Sequence, residues 1–269
     1  MPPPEPAEPA DGRRDAVERF IDLVRTGDPQ LLEGVLLIAR AADPGADVDA
    51  ARAELDRLAD GVHDLDGLLH RLYAEEGFAG DREHYEDPRN SSITEVLARR
   101  RGIPITLAVV CLEVGARAGV ALEPVGMPGH FLVHPVGSVS YLDPFTGDLL
   151  DREGCERRFR VSTGAGPRIR FDDALLAPVD TIAVLVRMLT NLRVVHRAHG
   201  RLAQLRWVLE MRLALPGAGG EEVLELAEVL GRRAGFSEAA RLLESWAEVL
   251  PDDAVRLQRV ARTWRAHLN

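Results

Sequence analysis

The spacing of apolar residues changes period at Gly119, and that change decides the fold class. Before it, apolar residues recur at three- and four-residue steps: Val17, Phe20, Ile21 and Val24, then Leu31, Leu32, Val35 and Leu36, with Asp28-Pro29 as the break. This spacing predicts two amphipathic helices between Asp15 and Ala41. A second helical run extends from Val48 to Glu76 through Leu55, Leu58, Val62, Leu65, Leu68, Leu69 and Leu72. Past Gly119 the apolar runs shorten and are bounded by Gly or Pro. Val120 to Val125, Gly129 to His134 and Ser138 to Leu142 predict three strands, followed by a turn over Asp143 to Asp148. Helices followed by a small antiparallel sheet make an α+β domain.

Local chemistry sets the boundaries. The polar stretch from Gly77 to Ser92, broken by Pro88, predicts an ordered loop. Ser92 with Glu95 three residues on fits a reciprocal cap, which starts a helix at Ile93 that runs to Arg101. Gly102 then stands as the C-terminal glycine, and Pro104-Ile105-Thr106 opens a helix to Ala118, with Thr106 as its candidate cap.

The last third returns to helical spacing and repeats. An offset of 35 lays Gly200 on Gly235, Leu205 on Ala240, Val208 on Leu243, Leu215 on Leu250 and Pro216 on Pro251. This is close to the ~34-residue tetratricopeptide period, so the region reads as two tetratricopeptide-like helical hairpins capped by a final helix from Asp253 to His267. Two hairpins fall short of the ~3 repeats that stand alone, which implies packing on another element. The chain thus divides into a Pro-rich, disordered tail (1–14), an α+β domain (15–179) and an all-α region (180–269).

Charge and cysteine content narrow the function classes. A net charge of −10, carried by the first two thirds of the chain, argues against nucleic-acid binding. No lysine occurs, so all 33 basic residues are arginine. The longest apolar stretch, Ile103 to Leu112, is far below the ~20 residues that span a bilayer, and the acidic N-terminus lacks signal-peptide character. Cys111 and Cys155 form neither a metal motif nor a disulfide framework, so the expectation is a cytoplasmic protein with no metal and no cofactor. His63 and His70 are too far apart for paired ligation, and His196 and His199 lack a third ligand. Oligomeric state leaves no mark in the sequence.

The candidate site consists of the helix start at Pro104-Ile105-Thr106, His130 after Gly129, and Asp143 thirteen residues later. On adjacent antiparallel strands His130 and Asp143 come side by side. The arrangement is either a structural hydrogen bond between strands or a working pair, in which the carboxylate fixes the imidazole tautomer and frees the other ring nitrogen. Gly129 allows a backbone or ligand close to that histidine. Helix N-terminal amides would favour a thiolate or oxyanion there, yet no cysteine occupies the start. Cys111 lies five residues past Thr106, about 140° around the helix, and should point into the core. Thr106 is therefore either a plain cap or the nucleophile. The cluster Arg82, Glu83, His84, Tyr85, Asp87, Arg89 and Asn90 either lines the same cleft or is a loop held by salt bridges. Of Arg99, Arg100 and Arg101, two are accounted for by the C-terminal helix dipole, which leaves Arg101 as a binding candidate.

The run RNSSITEVLARRRGIPITLAVVCLEVGARAGVALEPVGMPGHFLVHP, followed by YLDPFTGD, resembles the SirB-type transglutaminase-like family, with NSSITEVL, RRGIP, PGHF and LDPFTG in the family order. The resemblance covers Asp56 to Glu153, and a tetratricopeptide-like tail is its usual companion. It implies a papain-like core with a cysteine at a helix N-terminus, a histidine on a following strand and an aspartate on the next. By motif, His130 and Asp143 match the last two, Asn90 and Glu95 match further family positions, and the cysteine position falls near Ile105 or Thr106. Two functions follow. One is a protein-binding or regulatory factor with a degenerate site and a protein partner on its helical repeats. The other is an acyl-transfer enzyme or peptidase using His130 and Asp143 with Thr106 or a cysteine as nucleophile.

Overall fold

The computed structural model describes residues 10–166 and 168–267. Of the expected N-terminal tail, residues 1–9 lie outside the described residues, and the first helix begins at Ala10. The described chain forms two compact units, residues 10–16 with 28–188 and residues 17–27 with 189–267.

The first part of the chain is helical, as its periodicity requires: α1 (Ala10–Arg25), α2 (Leu31–Ala42), α3 (Val48–Ala59) and α4 (Leu65–Leu69). The run from Val48 to Glu76 is not one helix. Gly61 turns at positive φ, Asp64 caps α4 through the Gly67 amide, and α4 continues as a π-helical turn, His70–Glu75. Two-residue strands β1 (Ala79–Gly80) and β2 (Arg101–Gly102) pair in parallel on either side of α5 (Ile93–Arg99).

The anticipated ends of α5 need correction at both sides. Ser92 precedes the helix but makes no capping bond; its hydroxyl meets that of Thr94 at 3.0 Å, and Glu95 pairs with Arg99 instead. The helix stops at Arg99 because Arg100 takes the left-handed conformation, φ 58°, uncommon for a non-glycine residue. Its guanidinium is held by Glu54 and Glu76 and stacks over Phe78 at 4.9 Å. Gly102 is no C-cap; a Cβ there would meet Val96 at 2.9 Å.

Helix α6 (Pro104–Ala118) is the axis of this unit. Eleven of its residues are buried, it touches α3 and α5, and Gly119 ends it at φ 75° as expected. Its residues from Pro104 to Leu112 are all buried, so this stretch reads as an interior helix. Next come β3 (Leu122–Val125), β4 (Leu132–Pro135), β5 (Tyr141–Asp143) and an unanticipated β6 (Asp148–Leu150), in one antiparallel sheet of order β3-β4-β5-β6. Helix α7 (Arg152–Thr163), capped by Asp151, lays Cys155 and Phe159 against Val125, Met127 and Leu132 of the sheet region.

Beyond it run α8 (Thr181–Ala198), α9 (Leu202–Leu213), α10 (Gly220–Arg232), α11 (Phe236–Val249) and α12 (Ala254–Ala266). In the second unit consecutive helices from α9 to α12 pack on one another around Leu209, Val223, Leu230, Leu243 and Leu257.

Candidate functional site

Three segments of the first unit converge on one buried carboxylate. The antiparallel pairing of Val133 with Leu142 brings His130, two residues ahead of β4, within reach of Asp143 at the end of β5. His130 Nε2 and Asp143 Oδ1 are 2.7 Å apart. The histidine therefore sits not on the strand, as its sequence context suggests, but in the turn feeding it, where its N–H donates to the Met127 carbonyl. Gly129 makes that turn possible with φ 77°, and its close approach is to backbone and side chains of α7: a Cβ would meet Thr163 at 2.8 Å and Ser162 at 2.9 Å.

Asp143 is fully buried and holds two hydrogen bonds on one oxygen and an ion pair on the other. Besides His130 Nε2, the Phe145 amide donates to Oδ1 at 3.0 Å, and Arg158 Nη2 pairs with Oδ2 at 2.7 Å. Burial pushes its carboxyl up, but the histidine, the guanidinium and the amide outweigh burial and hold it below its ordinary value of 3.8. The other ring nitrogen of His130, Nδ1, makes no hydrogen bond among the described residues, and the side chain keeps 7% of its surface exposed. Phe145 stands edge-on to the imidazole, ring centroids 6.1 Å apart, with Tyr85 and Arg82 against its ring.

The start of α6 is apolar and closed. Pro104 is its first residue and Ile103 its uncharged cap, so Thr106 falls in the first turn rather than at the capping position anticipated for it. Thr106 is fully buried and its Oγ1 has no hydrogen-bond partner; Ile105 beside it is 2% exposed. Cys111 is buried a turn deeper, 3.3 Å from the Tyr73 hydroxyl, which also donates to the Pro144 carbonyl. Desolvation pushes its thiol up to about 12, so almost none is thiolate at neutral pH. Cys155 on α7 is likewise buried, its thiol up at about 11 from burial and nearby carboxylates.

The remaining candidates form a separate network. Asn90, fully buried, donates to Asp81 and to the His84 carbonyl and accepts from Arg99 Nη2 at 2.9 Å. Both polar atoms of its side chain are thereby used in binding the 81–90 loop to α5. That loop reaches the site through backbone bonds, Asp81 to Gly102 and Gly80 to Phe145. Glu95 takes part only through Arg99, and Arg101 turns away to the Gly77 and Arg100 carbonyls.

Arg158, Phe145 and Tyr73 are site residues that the sequence reading passed over. Phe145 was legible, because an Asp side chain commonly accepts from the amide two residues on. Arg158 carried no such signal: it is one of four arginines on α7, fifteen residues from its partner. Among the described residues no group of three His, Cys, Asp or Glu could hold a metal ion, and no helix is long and apolar enough to cross a membrane.

A model of the transglutaminase-like superfamily matches residues 46–190, a little over half of the chain. A Xylella fastidiosa protein described as a UPF0162 protein is 37% identical over 183 residues, covering 62% of this chain and 64% of its own. The UPF0162 protein of Pseudomonas aeruginosa is 30% identical over 261 residues, 92% of this chain and 94% of its own. Mouse F-box only protein 21 is 33% identical over a shorter stretch, 48% of this chain and 21% of its own. The chain thus spans a little under two thirds of the Xylella relative and nearly all of the Pseudomonas one. No solved structure matches.

Proposed function

Because this chain belongs to the transglutaminase-like superfamily, we propose that it is a SirB-type member with a degenerate, cysteine-less site, working as a protein-binding or regulatory factor. What carries the reading is the start of α6. Where a thiolate would need exposed helix amides, Ile105 and Thr106 are buried, and the thiol farther along the helix is protonated and bonded to Tyr73. In this reading the His130–Asp143 pair is retained for recognition. The helices from α8 to α12 act as tetratricopeptide-like hairpins that hold a protein partner, with α9 and α11 opening at Leu202 and Phe236 near the tetratricopeptide spacing. Two reduced, buried cysteines and an acidic charge suit a cytoplasmic protein that binds neither nucleic acid nor membrane.

A second reading has one observation in its favour. Thr106 Oγ1 is an unpartnered hydroxyl in the first turn of α6, and His130 and Asp143 are arranged as base and orienter, so acyl transfer or peptide hydrolysis through Thr106 is the alternative. Incubation with an activated acyl ester followed by intact-mass analysis separates the two. The binding reading expects no adduct on Thr106, Cys111 or Cys155. An adduct on Thr106 that disappears in His130→Ala overturns it.

A further inference from the structure

A guanidinium keeps its charge at any physiological pH, so in a folded acidic chain it is normally matched by a carboxylate. Around the His130–Asp143 pair most are matched. Arg89 pairs with Asp87, Arg99 with Glu95 and Asp81, Arg100 with Glu54 and Glu76, and Arg158 with Asp143, while Arg101 donates to two carbonyls. Arg82 and Arg187 differ: in a chain of net charge −10, neither has a carboxylate partner among the described residues. We propose that the Phe145 ring is the floor of a carboxylate subsite, in which Arg82, Arg187 and Tyr85 donate to a carboxylate of a peptide bound beside His130. This rests on the reading of the His130–Asp143 pair as a retained recognition site and names the chemistry that it recognises.

The geometry gathers these groups around one ring. The Arg82 guanidinium stands over Phe145, 5.8 Å from the ring centroid, and the Tyr85 and His130 rings each have their centroids 6.1 Å from it. A guanidinium stacked on a ring still has its in-plane N–H groups to give. Arg187, from α8, acts on the Tyr85 hydroxyl: burial pushes that phenol up from 10.0 and the guanidinium draws it down, so it is protonated at neutral pH and can donate. Phe145 is half-buried, which leaves apolar surface for the methylene next to a carboxylate. Glu83 and Glu86 of the same loop are exposed and pair with neither arginine among the described residues. Two guanidinia and a phenol offer donors and positive charge, and a carboxylate answers both, because it accepts in a bidentate manner and carries the opposite charge. In a peptide that group comes either from the C-terminus or from an acidic side chain.

Titrations of the full chain, isotope-labelled at arginine and histidine side chains, test this with three probes: acetyl-dialanine for a C-terminal carboxylate, acetylglutamate methylamide for a side-chain carboxylate, and the neutral acetyl-dialanine amide. Saturable shifts of the Arg82 and His130 side-chain signals are expected with at least one acid and not with the amide, and the tighter acid identifies the source. Arg82→Gln and Arg187→Gln should each weaken binding about tenfold, the scale of one charge-assisted pair. Arg262→Gln, which removes an exposed guanidinium in the second unit, should leave it unchanged. Arg82 is exposed, so its variant decides even where Arg187→Gln does not fold. Equal binding of the amide, no saturable shift with either acid, inorganic phosphate binding as tightly as the acids, or as large a loss in Arg262→Gln as in Arg82→Gln overturns the proposal. An acyl adduct on Thr106 would instead sink the binding reading while leaving these titrations as they are.

Discussion

The Asp143 carboxylate is where single atoms decide most. With its native value held below 3.8, it stabilises the fold at any pH above that ordinary value, and the contribution disappears as pH falls through the lower native one. Asp143→Asn removes the charge opposite Arg158, which keeps 28% of its side chain exposed. A loss of about 2 kcal/mol in urea unfolding at pH 7 is expected, less than for a fully buried ion pair because the guanidinium can still be hydrated. The gap between wild type and variant should narrow as pH drops below 3.8; a constant gap would contradict the assignment. Cys111 behaves oppositely: its thiol, raised from 9.0 to about 12, favours the fold below 9.0 and withdraws that favour as pH rises towards 12. At pH 8 a thiol reagent should leave Cys111 unlabelled in the native protein and label it fully in denaturant. His130 and Asp143 were legible in the sequence because Gly129 and the turn residues after Asp143 mark a hairpin around them. Thr106 misled because Pro104 can occupy the first helical position, which places the cap three residues before Thr106, at Ile103.

At the scale of elements, the site depends on a strand glycine that admits no side chain. A Cβ on Gly80 would lie 2.2 Å from the Phe145 ring, whose residue also accepts the Gly80 amide. Gly80→Ala should cost about 1–3 kcal/mol through displacement of that ring. Gly137, in the turn between β4 and β5, is the control: it has φ 82° but nothing within 4 Å of a Cβ, so Gly137→Ala should cost only the left-handed strain of about 1 kcal/mol. Equal losses in the two variants would show that Phe145 is free to move. The body and C-terminal end of the central helix were readable, since an apolar run closed by Gly119 leaves few alternatives. The π-helical turn at His70–Glu75 was not, because its side chains follow the same apolar spacing as an α-helix. Strand β6 was hidden by its shortness: three residues with a half-exposed leucine read as part of a turn.

Over the whole molecule, each unit can be followed by its own probe. All three tryptophans, Trp207, Trp246 and Trp264, fall in residues 189–269, while both cysteines fall in residues 28–188. Leu243, fully buried in the helical unit, should lose about 2–5 kcal/mol as Leu243→Ala, read as a lower midpoint of tryptophan fluorescence in urea. The last third was legible as helical from its apolar spacing, whereas the passage from one unit to the other inside α8 left no mark, because a continuous helix has neither Gly nor Pro to announce it. Helix α7 has a role that its local sequence does not advertise. It holds Asp143 with Arg158 and, one turn further, abuts Gly129 with Ser162 and Thr163, so a single rod braces both partners of the pair. Shortening or loosening that rod would slacken acid and imidazole together, and amide exchange along α7 is thus a gauge of whether the pair stands.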